Sequence, residues 1–166
     1  MKKLFFLPVI LLLAMASCKK SSSSSSNGLG TITASIDGTA TTFNTSATAV
    51  ESTGNGLSSL IIIGFQGTAG TSNSMDITLG SNSPLAANTS FSDTSTVGNL
   101  AEFAYTTEPG NNSYSDILGG SAQVKITGIS SSSIQGTFSG VVTLSGGTPA
   151  SHTITNGTFN LKLTVQ

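Results

Sequence analysis

Few residues of this chain could carry chemistry, and the first to consider is His152, its only histidine. A catalytic triad needs such a base beside a nucleophile, and no G-x-S-x-G turn lies near it. His152 follows the Gly-rich turn of a C-terminal hairpin, so we expect a solvated turn histidine. One histidine and one cysteine cannot supply the three or four ligands of a zinc site. We therefore expect no catalytic residue, no metal and no cofactor, and a protein that is not an enzyme.

A second candidate is a short segment rich in oxygen donors, which resembles a calcium-binding loop in composition. The segment lacks the regular alternation of ligands that calcium loops show, and such clusters more often form turns. Tyr114 is the one aromatic residue that we expect to be exposed there for stacking on a ligand. The possible ligand-contact loop consists of Glu108, Asn111, Asn112, Tyr114 and Asp116.

The N-terminus has the features of an export signal that ends at a lipid-attachment cysteine. Two lysines precede an apolar stretch, Leu4 to Ala16, which is short for a membrane-spanning helix. The sequence Met15-Ala16-Ser17-Cys18 resembles the lipobox of bacterial lipoproteins, with Met15 in place of the usual leucine. This resemblance implies that Cys18 is acylated, palmitate included, and becomes the first mature residue. The alternative is an ordinary secretory signal with an incidental cysteine.

A serine-rich segment follows the cysteine and predicts a flexible tether. Over about ten residues such a tether has an r.m.s. reach of roughly 15–20 Å. The predicted organisation is a signal peptide over 1–17, a lipidated tether over 18–28 and one domain over 29–166. Lys19 follows the cysteine where inner-membrane lipoproteins usually carry Asp, which favours the outer membrane. The tether has no acidic residue, which favours the periplasmic face over surface exposure.

The charge of the predicted domain limits its partners. Beyond residue 27, Lys125 and Lys162 stand against seven acidic residues, which leaves a net charge of −5. A nucleic-acid-binding domain needs a basic surface to neutralise phosphates. We therefore expect no nucleic-acid partner.

Alternating apolar residues predict eight or nine strands joined by turns, and no helical crossover interrupts them. The fold class is therefore all-β, an antiparallel β-sandwich or flattened barrel. The segment from Leu60 to Phe65 is apolar on both parities, so we expect a central strand that is covered on both faces. The polar segment from Thr39 to Val50, with Phe43 as its anchor, suits a sheet edge.

The C-terminal third predicts a long hairpin with one irregularity. Ile134 to Leu144 alternates as a half-buried strand, and the return strand resumes the alternation at Phe159. Ile154 is out of phase with Phe159, and a one-residue bulge at Asn156-Gly157 would return Ile154 to the core. Gly136 and Gly140 fall on the inward parity, where they permit either close packing or a cavity.

Several strand motifs resemble those of small lipoprotein domains of unknown function from the Bacteroidota. They are TITASIDGTATTF, YSDILGGSAQVKITGI, IQGTFSG and TITNGTFNLKL, within Thr31 to Val165. The resemblance implies a fold and no reaction, since these are strand and turn motifs. We therefore expect a lipid-anchored cell-envelope domain that acts as a non-enzymatic binding or structural module for an unknown protein, glycan or small molecule. The alternative is a calycin-like barrel that carries a small apolar ligand.

Overall fold

The computed structural model describes residues 28–95, 98–108, 111–144 and 150–166. The predicted signal peptide, Cys18 and nearly all of the tether lie outside these residues. The described residues form eleven strands: β1 (Thr31–Ile36), β2 (Thr39–Phe43), β3 (Thr45–Gly54), β4 (Leu57–Phe65), β5 (Ser74–Ser81), β6 (Ser90–Ser92), β7 (Leu100–Thr107), β8 (Asn112–Ser115), β9 (Ser121–Ile129), β10 (Ser133–Thr143) and β11 (Ser151–Val165). A single-turn 3-10 helix, Asp116–Leu118, precedes β9.

The strands make one sheet that closes into a ring of eight, which confirms the all-β prediction. The ring runs β11-β3-β4-β5-β7-β6-β9-β10 and returns to β11, while the β1–β2 hairpin extends the sheet beside β11. The edge position predicted for the segment from Thr39 to Val50 is confirmed for β2 and wrong for the second half, because β3 lies within the ring between β11 and β4. Two pairings are parallel, β3 with β11 and β6 with β7. β3 and β11 are far apart in sequence, whereas β6 and β7 are consecutive and share a single paired position, Ser92 with Leu100.

The long C-terminal hairpin has the predicted bulge. Phe138 pairs with Gly157 and Gly140 with Ile154, so β11 carries one extra residue over this interval. Asn156 takes a positive φ of 51°, and Ile154 is completely buried. The bulge therefore restores the inward parity of β11, as the sequence indicates.

The interior of the ring is filled by side chains that almost all have less than 5 % exposure. A Cβ on Gly136 would lie 2.3 Å from Cζ of Phe159, and one on Gly140 would lie 2.1 Å from the Ser121 carbonyl oxygen. Phe159 stacks in turn beside Phe138. The two inward glycines are thus sites of close packing, because their neighbours already occupy the space that a side chain would need.

The strand registers define two ends of the ring. We call one end the tether end, because the chain enters β1 there from the predicted tether. It contains Leu29, which precedes β1, and the Asn55-Gly56 turn between β3 and β4. At the opposite end lie the Asp37-Gly38 turn between β1 and β2, the start of β11 and the β7–β8 connection. The first residue of the domain and the Asp37 turn are therefore separated by the full length of β1.

Three local expectations are corrected. The segment predicted as one strand from Thr39 to Val50 divides into β2 and β3, with Ser46 at a positive φ of 51°. Residues 112–115 form β8, although the sequence indicated a loop. The predicted double cover of β4 is wrong for Ile61, which is 51 % exposed, because none of the described residues forms a second layer over the outside of the ring there.

Candidate functional site

The candidate site at the end opposite the tether is built on the turn between β1 and β2. Asp37 and Gly38 both have positive φ, 50° and 83°, as a two-residue type I′ hairpin turn requires. The backbone N–H of Asp37 donates to the Thr153 carbonyl at 2.9 Å. This contact places the Asp37 carboxylate beside the start of β11.

The carboxylate of Asp37 binds two consecutive residues of β11. Its Oδ1 accepts a hydrogen bond from Thr153 N at 2.8 Å, and its Oδ2 lies 2.6 Å from Nδ1 of His152. An ionised carboxylate only accepts, so Nδ1 is the donor and carries a proton. The pKa of Asp37 lies below its ordinary value, chiefly because of the hydrogen bond from His152 and then that from Thr153. The pair therefore fastens the β1–β2 turn to the C-terminal strand.

The expectation of a solvated turn histidine is wrong. The His152 side chain is only 13 % exposed. Its ring centroid lies 4.4 Å from that of Tyr114 and 5.3 Å from that of Tyr105, both in edge-to-face geometry. The aromatic contacts explain the burial, since edge-to-face pairs of this spacing are favourable. Sequence could not indicate this, because Asp37 and the tyrosines are distant along the chain.

Tyr105 extends the cluster to the β4–β5 connection. Its hydroxyl accepts a hydrogen bond from the Asn73 amide at 3.3 Å, and Asn73 Oδ1 accepts from Glu108 N at 2.8 Å. Burial raises the pKa of Tyr105, and the negative charge of Asp37 raises it further. The cluster thus joins β7, β8, β11 and the β4–β5 connection to the first hairpin through aromatic and polar contacts.

The chemistry open to this cluster is limited by its geometry. His152 Nε2 is buried and has no hydrogen-bond partner among the residues that the structure describes. A general base must reach its proton donor directly or through one water. In the same described residues, no group of three or more His, Cys, Asp and Glu side chains converges as a metal site would. In this conformation the Asp37–His152 pair is a structural link.

The predicted ligand-contact loop is divided by the structure. Asn111 and Asn112 are exposed, and Glu108 is half-buried with its backbone N–H bonded to Asn73. Tyr114 belongs to β8 and is only 1 % exposed, so its predicted place as an exposed loop aromatic is corrected. The five residues therefore do not form one exposed surface.

Asp116, the last residue of the predicted loop, is buried within the wall of the ring. β6 pairs with β7 at Leu100 and β8 pairs with β7 from Ala104 onward, which leaves the backbone of Phe103 without a strand partner on that edge. Asp116 Oδ1 accepts a hydrogen bond from Phe103 N at 2.7 Å. Its carboxylate is thus occupied in closing the sheet.

A separate groove of about 890 Å³ crosses the outside of β6, β9, β10 and β11. It is open to solvent and lies beside the bulge of β11. Carbon atoms make up the larger part of its exposed lining, and hydroxyl, amide and amine groups are contributed by Ser90, Ser92, Gln123, Lys125, Thr137, Ser139, Thr155 and Asn156. Sequence analysis did not find this groove, because its residues come from four strands that the topology brings together.

The comparisons with known proteins give no match: no family model, no curated protein and no solved structure resembles this chain. Within the described ranges, no helix has the length and apolar character needed to cross a membrane. Cys18, the predicted lipidation residue, lies outside those ranges.

Proposed function

We propose that this protein is a lipid-anchored domain of the cell envelope that acts as a non-enzymatic binding or structural module. The observation that carries the proposal is the lipobox-like Met15-Ala16-Ser17-Cys18, followed by a serine-rich tether and a β-domain. Acyl chains add about 0.8 kcal/mol of membrane affinity per buried CH₂, so several chains hold a protein on a membrane almost irreversibly. The location is the outer membrane, with the domain facing the periplasm.

The interior of the domain supports a module in preference to a carrier of small apolar ligands. A carrier needs an empty apolar lumen, whereas here the space over Gly136 is taken by Phe159 and that over Gly140 by neighbouring main chain and Phe103. The described pockets are open to solvent at the outer surface. Partners would therefore bind outside the ring, and a protein, a glycan or a small polar molecule would suit the groove across β9 and β10.

The inaccessible His152 also supports a role without catalysis. Nδ1 is committed to Asp37, and Nε2 is buried against aromatic rings. The acidic excess of the domain supports partners other than nucleic acid.

The anchor is tested by Cys18→Ala in the full-length chain. We expect the variant to lose label from a palmitate analogue and to leave the membrane fraction. Ser17→Ala is the matched control, because it keeps a small residue before the cysteine and should remain labelled and membrane-bound. A Cys18→Ala protein that still takes up the label would refute lipidation at this residue.

The module is tested by native mass spectrometry of the full-length protein, extracted in mild detergent from its own envelope. We expect the mass of the chain with its acyl groups and nothing further. A stoichiometric additional apolar molecule would instead support the carrier, and its mass would identify the compound to pursue.

A further inference from the structure

We propose that the tether end of the ring is a lipid-facing surface that rests on the membrane to which Cys18 is attached. This inference rests on the proposed lipid anchor. It adds a defined orientation, in which Leu29, Leu57 and Leu100 face the lipid headgroup layer. The Asp37–His152 end then points away from the membrane.

The first observation is a group of exposed leucines toward one end of the domain, apart from Ile61, Ile117 and Leu118, which are exposed on other parts of the surface. Leu29 is 62 % exposed, Leu57 is 55 % exposed and Leu100 is 46 % exposed. Leu57 and Leu100 line the same shallow groove of about 540 Å³, and Gly80 lies between them in the strand order. A Cβ on Gly80 would meet no atom within 4 Å, so the groove is open above it. Grouped apolar side chains of this kind mark interaction surfaces more often than isolated ones do.

The second observation is where the tether joins the domain. Ten residues lie between Cys18 and Leu29, and a tether of the kind predicted from their sequence has an r.m.s. reach of about 15–20 Å. The Asp37 turn lies eight residues further along the chain, or about 25 Å at the rise of a β-strand. The anchor therefore keeps the tether end near the headgroups at a high effective concentration, so that a small apolar contact suffices.

The third observation is the distribution of charge. All seven acidic residues of the domain are among the described residues, and the one nearest this end, Glu51, is buried. Asp37 and Glu108 lie at the opposite end. Lys162 is exposed close to Leu29, where it suits anionic headgroups. Asp93 and Glu102 line a shallow pocket with Leu100. Glu102 follows Leu100 by two residues on the same face of β7, so these two carboxylates mark the limit of the apolar surface.

The test uses the full-length lipidated protein in vesicles of phosphatidylethanolamine and phosphatidylglycerol. Cys18 is the only cysteine and its sulfur is used by the lipid, so a second cysteine can be labelled selectively. Leu57→Cys places an environment-sensitive fluorophore at the tether end. Thr39→Cys is the matched control at the opposite end, also on an exposed strand residue. Brominated lipids quench only a fluorophore that reaches the bilayer.

We expect the fluorophore at residue 57 to shift its emission to the blue and to be quenched several-fold more strongly than the one at residue 39. Equal quenching at the two sites, with the protein still bound to vesicles, would overturn the orientation and leave the anchor intact. A protein without acyl mass that stays off the vesicles would overturn the anchor and this inference with it. A double variant carries Leu57→Ser and the fluorophore at Leu100→Cys. Its blue shift should be smaller than that of Leu100→Cys alone, and it should stay on the vesicles because the acyl chains still hold it.

Discussion

The packing of the ring interior makes a direct prediction for Gly136→Ala. The new Cβ would lie 2.3 Å from Phe159 Cζ and 2.5 Å from the Lys125 carbonyl oxygen. The main chain of β9 cannot move away without a large cost in free energy. The Phe159 ring is also held in place, because it is packed beside Phe138. Overpacking of this kind costs about 1–3 kcal/mol, whereas replacing glycine by alanine within a strand gains about 0.5–1 kcal/mol. The steric cost therefore prevails, and we expect a net loss of about 1–2 kcal/mol.

Urea or thermal unfolding followed by circular dichroism measures this loss, at about 2–4 °C of Tm per kcal/mol. Gly80→Ala is the matched control, since it lies in a strand where a Cβ meets no atom within 4 Å. We expect it to be neutral or to stabilise by up to about 1 kcal/mol. If Gly136→Ala proved as stable as Gly80→Ala, Phe159 would have space to move into. That result would refute the filled interior and favour the carrier function.

Three further predictions concern single carboxylates. Asp37→Asn, which tolerates the positive φ, should destabilise the protein by about 1 kcal/mol at neutral pH. Folding lowers the pKa of Asp37, so the difference in unfolding free energy between the native protein and Asp37→Asn should vanish as the pH falls below the ordinary value of 3.8. Urea unfolding of both proteins at several pH values would measure it. Burial raises the pKa of Asp76, so its charge opposes folding above 3.8, and Asp76→Asn should raise the Tm at neutral pH but not in acid. Asp116→Ala should cost about 1–3 kcal/mol in urea unfolding because the buried Phe103 N–H loses its acceptor, while Asp116→Asn, which keeps an acceptor, should cost less. An Asp116→Ala protein as stable as Asp116→Asn would contradict that role.

Strand periodicity predicted those parts of the fold that depend on neighbouring residues. The β10–β11 hairpin and its bulge follow from the phase difference between Ile154 and Phe159, which is visible in the sequence and confirmed by the register. The edge position of β2 follows in the same way from its polar side chains. β8 was missed because its four residues, Asn112 to Ser115, are too few and too polar to show alternation.

The polar cluster at the end opposite the tether was not predictable for a different reason. Asp37 and His152 are 115 residues apart, and they meet only because β1 pairs with β11. A strand pattern identifies which side chains point inward but does not choose a strand's partner. His152 could therefore be placed near a hairpin turn, while its burial between Asp37 and Tyr114 depended on long-range pairing.

The exposure of side chains on the outer face of the ring also depends on features that the strand pattern does not predict. The apolar run from Leu60 to Phe65 predicted cover on both faces, yet Ile61 remains half exposed because no second layer of described residues covers it. Leu57, at the start of the same strand, is exposed as well. Exposed apolar side chains mark an interaction surface when they are grouped, whereas single ones are common on protein surfaces. Leu57 lies at the end from which the tether leaves, whereas the acidic and aromatic cluster lies at the other. In the proposed orientation, a membrane at the tether end would cover Leu57 and Leu100 and leave Asp37 and Glu108 at the far end, while Ile117 and Leu118 stay exposed before β9.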